Sequence, residues 1–280
     1  MGVLDGKAVV ITGAGRGLGR AYALHAASCG AAVVVNDIDG QPAEDVVSLI
    51  RGAGGRAAAS IGSVADPDQA RAPVRRCLTE FGRIDGLVNN AGLRYQAPAW
   101  DDDPARMRAL IEVNVLGSMY CGSAAAAAMR SGGGGSIVNT ASLAMVGQPT
   151  AAAYSASKGA VASMTVAWAV ELADHGVRVN GICPVAWTRM AQADTRTPSA
   201  PDQTPDRIAP IVSYLLSDLS SGVTGQLIRF TAAKLHIVSH HSAKDPVLRN
   251  DGWDVHDIAE AFDTHLADTL EPPPAQKWTR

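Results

Sequence analysis

The sequence predicts an α/β protein built on a doubly wound parallel sheet, with helices on both faces and a C-terminal extension. Three observations carry this. Short β-branched apolar runs alternate with helical patterns almost throughout, the signature of strand–helix–strand units. Seven such runs can be counted before residue 231, with no internal repeat and no linker between them. A glycine-rich turn joins the first run to the first helical pattern, an arrangement that lets a backbone approach a pyrophosphate.

The elements follow in order. Lys7 to Thr12 (KAVVIT) is a buried strand bounded by Gly6 and Gly13. Thr12-Gly13-Ala14-Gly15-Arg16-Gly17-Leu18-Gly19 is the turn, and the pattern RAYALHAASCG after it is helical. A helix starting here offers its N-terminal amides to an anion. Ala31 to Val35 is the second strand, closed by Asn36 and Asp37. An acid about 20 residues beyond the turn accepts ribose hydroxyls and repels a 2′-phosphate. Asp37 therefore favours NAD, and Arg16 in the turn is the counter-argument. Pro42 to Ala53 is an amphipathic helix and Arg56 to Ile61 the third strand. Asp66 and Pro67 open a helix to about Phe81, and Arg83 to Val88 is the fourth strand, running into Asn89-Asn90-Ala91-Gly92.

Pro104 to Met129 reads as one long helix containing Asn114, and Ala124 to Ala128 suggest close packing. Ile137 to Thr140 is the fifth strand and delivers Ser142 to its C-terminal edge. A helix follows to about Ala173, then the sixth strand, Val177 to Cys183, ending at Pro184. Residues 192 to 206 form a loop, Asp206 to Leu216 a helix and Gly225 to Phe230 the last strand. The domain reading is one catalytic unit over residues 1–230 and an extension over 231–280, packed on its own or a neighbouring subunit. In that extension Val255, Ile258, Phe262 and Leu266 form a helical stripe, with Asp254 as N-cap and Pro272 to Pro274 as terminator.

Composition narrows the function. Hydrophobic residues are 47% of 280 and charged residues 18%, enough for a large core. The net charge of -3 and the absence of a basic block do not suggest a nucleic-acid partner. Cys29, Cys77, Cys121 and Cys183 have no metal or redox spacing, and His236, His240 and His241 lack further ligands at metal spacing, so no metal site is expected. The first residues lack the character of a signal peptide and no apolar run approaches bilayer length, so a cytoplasmic protein with no membrane partner is expected.

The chemistry concentrates in Tyr154-Ser155-Ala156-Ser157-Lys158. On a helix, residues four apart share a face. An ammonium beside a phenol favours the phenolate. Bringing a Tyr from about 10 to about 7 takes roughly 4 kcal/mol, within reach of one Lys and a cationic cofactor ring in a dry site. The result is an acid–base group matched to an alcohol at neutral pH.

Taken together, these residues resemble the short-chain dehydrogenase/reductase family over about residues 3 to 230. The glycine motif is Thr12, Gly13, Gly17 and Gly19, the NNAG motif Asn89 to Gly92, and the catalytic tetrad would be Asn114, Ser142, Tyr154 and Lys158. Pro184 and Thr188 match the family's Pro and Thr after the sixth strand. The resemblance implies a Rossmann-type, seven-stranded parallel sheet. It implies NAD held by Gly13, Arg16, Gly17, Leu18, Gly19, Asp37, Ser63, Val64, Asn90, Ala91, Gly92, Tyr154, Lys158, Pro184, Val185 and Thr188. Tyr154 would be the acid–base, Lys158 would lower its pKa and bind the nicotinamide ribose, Ser142 would polarise the substrate oxygen, and Asn114 would fix a relay water. Trp187 and Met190 would line an apolar substrate pocket with Ser142 and Tyr154.

Four departures from the family pattern stand out. An Asp is often found where Ser63 lies, and a Gly where Val185 lies. The span from Ser142 to Tyr154 is about one residue short. Ala232-Ala233 replaces Gly-Gly, and a tail of about 50 residues follows. Ala31 to Ile38 (AAVVVNDI) and Pro184 to Met190 (PVAWTRM) look like the branch that oxidises 3-hydroxyacyl thioesters and steroid alcohols, which implies a hydrophobic secondary alcohol or ketone, with a small polyol or sugar alcohol as the alternative substrate. A nucleotide-binding sensor or scaffold without turnover is the alternative from another class. A homo-oligomer, dimer or tetramer, is expected through the two long helices.

Overall fold

The structure is a computed structural model that describes residues 2–192, 200–231 and 233–271. The chain divides into two compact units, residues 1–238 and 239–280. In the first, β1 (Ala8–Ile11), β2 (Ala32–Asp37), β3 (Arg56–Ile61), β4 (Gly86–Asn89), β5 (Gly135–Thr140), β6 (Val177–Pro184), β7 (Leu227–Phe230) and β8 (Leu235–Val238) form one sheet. Its order is β3-β2-β1-β4-β5-β6-β7-β8. The first seven strands are parallel, with registers such as Ile11 opposite Val35 and Val88. The order reverses between β1 and β4, and a crevice opens at the C-terminal ends of strands at such a point.

The eighth strand corrects the expected count. β8 pairs antiparallel to β7, Phe230 opposite Leu235 and Leu227 opposite Val238. The sheet therefore continues past residue 230, where the sequence reading ended it. Leu235 and Ile237 are more than half exposed on this edge. The run Leu235-His236-Ile237-Val238 does alternate, but four residues are too short a signal by themselves, and it is pairing with β7 that makes them a strand.

The β-branched runs fill both faces of the sheet. Val9, Ile11, Val33 and Val35 point to one side, where α1 (Gly17–Ser28), α2 (Gly40–Gly52) and α8 (Ala209–Leu216) contribute Tyr22, Ile50 and Leu215. Val10, Val34, Leu87 and Ile137 point to the other, where α3 (Pro67–Phe81), α5 (Gly117–Gly132) and α6 (Ala152–Glu171) contribute Cys77, Met129 and Ala169. Strands buried on both faces read as continuous apolar runs, which is why they were legible. Asp66 caps α3 as expected, accepting from the amides of Asp68 and Gln69.

The long helix expected over 104–129 is not uniform. α4 (Pro104–Ile111) passes into a π-helical turn, Glu112–Leu116, before α5 begins. Single π turns inside helices commonly mark functional positions. α5 then packs close to α6, since a Cβ on Gly122 would lie 2.3 Å from the Trp168 ring.

In the second unit Asp254 caps α9 (Val255–Ala261) in a reciprocal capping box with Asp257. The helical stripe of Val255, Ile258, Phe262 and Leu266 is not one continuous α-helix. It passes instead through a π turn, Phe262–Leu266, and a 3-10 turn, Ala267–Thr269. Ala232, most of the loop before residue 200 and Pro272 to Pro274 lie outside the described residues. Among the described residues no helix is long and apolar enough to cross a membrane.

Candidate active site at the strand C-termini

The glycine turn sits at the mouth of the crevice. Gly13 and Gly17 have φ of 61° and 54°, the left-handed region that favours glycine. Gly19 is required for space, because a Cβ there would lie 2.1 Å from the Gly13 carbonyl oxygen. The NNAG segment locks this turn from below. Asn90 Nδ2 donates to the carbonyls of Thr12 and Gly13, both at 3.0 Å. Thr12 Oγ1 in turn accepts from the amides of Asn90 and Ala91, at 3.0 and 3.1 Å. Gly92 lies over Asn114, its would-be Cβ 3.2 Å from Oδ1. Gly17, Leu18 and Gly19 begin α1, and Arg16 at its N-cap makes no side-chain capping bond. Those N-terminal amides form an anion cradle.

Asp37, at the end of β2, is fastened to the turn. Its Oδ2 accepts from the Gly15 amide at 2.8 Å and its Oδ1 from the Asp39 amide at 3.0 Å. Arg16 forms an ion pair with Asp39. Ser63 spends its hydroxyl on the Ala65 amide at 3.2 Å, and Gln69 Oε1 accepts from the Ser63 amide. Val64 is buried against Gly117. The amides of the turn could donate to a pyrophosphate and the Asp37 carboxylate could accept from ribose hydroxyls, so these residues fit a dinucleotide, and the glycine positions leave the backbone open to it.

Asn114, Tyr154 and Lys158 converge across the helix pair. Asn114 is buried at the π turn. Its Oδ1 accepts from the Leu93 amide at 2.7 Å, and its Nδ2 donates to the Leu93 carbonyl and to Ser157 Oγ at 3.0 and 3.1 Å. Ser157 was not singled out from sequence, yet it is fully buried between Asn114 and the Tyr154 carbonyl, to which it donates at 2.8 Å. Its place between Tyr154 and Lys158 was the only available signal.

Lys158 stands 5% exposed, with Nζ 5.7 Å from the Tyr154 ring centroid. Nζ donates to the Thr140 carbonyl at 2.6 Å, which ties the helix to the end of β5. Burial pushes its ammonium down to about 8, with Cys183 acting in the opposite sense. Arg94, also missed from sequence, places its guanidinium 5.2 Å from the Tyr154 ring centroid and donates to Gln148 Oε1. Its signal was its position just after the NNAG segment.

Ser142 follows β5 by two residues and caps the short 3-10 turn Leu143–Val146, accepting from the Ala144 amide at 3.1 Å. That turn packs on α6. The shortened span between Ser142 and Tyr154 passes through Thr150 at φ 60°, left-handed for a β-branched residue. Pro184 ends β6, and the Val185 amide donates to the Phe230 carbonyl. Thr188 lies beside Gly17 and accepts from the Ala191 amide. Trp187 precedes the short helix α7 (Arg189–Gln192) and Met190 lies within it, where the sequence reading had a loop; they are 37% and 41% exposed.

Comparison with known proteins identifies the family. The profile of the short chain dehydrogenase family matches residues 7–199. The cis-4-hydroxycyclohexanecarboxylate dehydrogenase of Sinomonas cyclohexanicum is 38% identical over 234 residues, 79% of this chain and 94% of that one. A short chain dehydrogenase structure from Mycobacterium avium superposes with a TM-score of 0.88 at 34% identity, covering 98% of each chain. A 7α-hydroxysteroid dehydrogenase with NADH and 7-oxo glycochenodeoxycholic acid gives 0.76 at 31% identity, covering 82% of this chain and 94% of that one. A gluconate 5-dehydrogenase of Burkholderia cenocepacia with NADP and tartrate gives 0.75 at 31%, covering 82% and 95%. The chain belongs to the short chain dehydrogenase family, oxidoreductases that act on CH–OH groups with a nicotinamide cofactor, NAD or NADP.

Proposed function

We propose that this chain is an NAD-dependent dehydrogenase of hydrophobic secondary alcohols, or a reductase of the matching ketones. The observation that carries the reading is the buried Lys158 ammonium beneath the Tyr154 ring, strung between that ring and the end of β5. When bound, the cofactor supplies the hydride acceptor or donor. The glycine turn and the N-terminus of α1 would hold its pyrophosphate, and Asp37 its adenosine ribose. Asn90, Ala91, Gly92, Ser63 and Val64 would line its path, with Pro184, Val185 and Thr188 at the nicotinamide end.

Tyr154 exchanges a proton with the substrate oxygen at its phenolic Oη. Lys158 stabilises the phenolate by charge, and its own burial makes that charge act through a low dielectric. Ser142 holds the same substrate oxygen with its hydroxyl. Asn114 is a positioning residue. Its side chain is committed to Leu93 and Ser157, so a relay water near it would rest on backbone rather than on the amide. Trp187 and Met190 offer apolar surface beside the substrate. The alicyclic and steroid substrates named for relatives support a bulky apolar substrate here. The binding unit is read as residues up to Val238, with the remaining tail an extension, in a cytoplasmic homo-oligomer.

The test is nucleotide turnover by purified protein on a cyclohexanol, a steroid, a 3-hydroxyacyl thioester and a polyol, with NAD(H) and NADP(H) in parallel. Turnover of the alicyclic or steroid substrates with NAD, lost in Tyr154→Phe, supports the reading. Preference for the polyol or for NADP overturns the substrate or cofactor part. Tight NADH binding without any turnover favours a sensor instead.

A further inference from the structure

Asp37 alone does not account for the surroundings of the ribose. A cavity of about 470 Å³ opens beside it, between the glycine turn and the start of α2, lined among others by Gly15, Arg16, Arg20, Gln41 and Asp45. Its nearness to Asp37 is fixed by Gly15. The Gly15 amide donates to Asp37 Oδ2, and a Cβ on Gly15 would lie 2.9 Å from that same oxygen. Two arginine residues therefore line the space next to Asp37, and the guanidinium of one of them, Arg16, is placed by Asp39. A 2′-phosphate is a dianion that such guanidiniums recognise well.

What opposes this is a second acid. Arg16 is engaged by Asp39, two residues beyond Asp37, and both side chains are about half exposed. Asp39 is itself placed by its amide, which donates to Asp37 Oδ1. The N-terminus of α2 starts directly after it, yet Asp39 makes no side-chain capping bond to that helix. Its carboxylate is directed to Arg16 rather than to the backbone. An exposed ion pair of this kind adds little to stability. Its effect is to neutralise the one cation of the glycine turn and hold it on the protein.

Resting on the NAD reading above, we infer that Asp39 is a second determinant of cofactor choice: it withholds Arg16 from a 2′-phosphate while Asp37 accepts the ribose hydroxyls. Beside Asp37, which itself repels a 2′-phosphate, the chain thus carries arginines that could recognise one, and Asp39 keeps Arg16 from doing so. The distinction from a simple charge effect is that Asp39 acts through Arg16.

The experiment is a double-mutant cycle read by binding, so no substrate is needed. Dissociation constants for NADH and NADPH are measured by nicotinamide fluorescence on the full-length protein, Asp39→Asn, Arg16→Gln and the double variant. The expected result is that Asp39→Asn narrows the NADPH-to-NADH ratio of dissociation constants by about fivefold or more, and that the same change in the Arg16→Gln background moves it by less than about twofold. An equal shift in both backgrounds would show that Asp39 acts by its own charge and would overturn the inference, as would no shift in either. Failure of the NAD reading looks different: the unaltered protein would bind NADPH at least as tightly as NADH. The fluorescence of the bound nicotinamide and the melting temperature of each variant identify any that merely fail to fold, and Asp39→Ser then replaces Asp39→Asn in the cycle.

Discussion

Asn114 on the π turn and Ser157 on α6 share one hydrogen bond of 3.1 Å, and through it two helices are fixed to each other. Ser157 passes the connection to the Tyr154 carbonyl, while Asn114 grips both backbone polar groups of Leu93. α6, the π turn and the segment after NNAG are thereby held as one piece.

Asn114→Ala removes this junction and leaves the Leu93 amide and carbonyl without their partner. A loss of about 2–4 kcal/mol in urea unfolding is expected, against about 1 kcal/mol for Ser157→Ala, which removes a single hydroxyl. Equal losses would mean that the π turn is held by something other than Asn114.

Lys158→Met tests the buried ammonium through pH. Burial lowers the folded-state value from the ordinary 10.5 to about 8, so the charged form is disfavoured in the folded protein. Below about pH 8 both states are protonated and the full cost is present. Between about 8 and 10.5 the unfolded chain binds more protons, and stability rises with pH. The native protein is therefore expected to gain up to roughly 3 kcal/mol over Lys158→Met across that window. Chemical denaturation at pH 7.5 and pH 10 reads the difference directly, and a gap that does not change with pH would contradict the lowered value.

Thr150 is held at positive φ by its surroundings, its carbonyl accepting from the Ala97 amide at 2.8 Å. A β-branched residue stores about 1–2 kcal/mol there. Thr150→Asn, which tolerates that conformation, is expected to raise the melting temperature. The same change should alter KM more than kcat if the loop between Ser142 and Tyr154 lines the substrate.

Two glycines should behave in opposite ways. Gly19→Ala drives a methyl to 2.1 Å from the Gly13 carbonyl oxygen and is expected to abolish NADH binding by fluorescence titration. Gly52, the last residue of α2, has nothing within 4 Å of a would-be Cβ. Gly52→Ala is expected to stabilise by about 0.5–1 kcal/mol.

Much of this was readable in advance because its physics is local. Lys7 to Thr12 reads as a strand because both its faces are buried, and Asp66 and Asp254 read as caps because a cap acts within three residues. Tyr154 and Lys158 meet through one helical turn. β8 was missed because its four residues, Leu235 to Val238, are too short a pattern to stand out and become a strand by pairing with β7. The π turn was missed because one extra residue in a helix leaves no mark on a pattern that remains helical on either side.

By itself the sequence determined the alternation of strands and helices, the glycine turn, the acid at the end of β2 and the Tyr–Lys pair. Each depends on residues within a turn or a strand of one another. Only the tertiary structure decided that Asn114 meets Ser157, that Lys158 is bound to the end of β5, that Arg94 lies against Tyr154 and that Arg16 is engaged by Asp39. Those contacts join segments up to about sixty residues apart in the chain. Their geometry is set by how helices pack on the sheet, which no local pattern encodes.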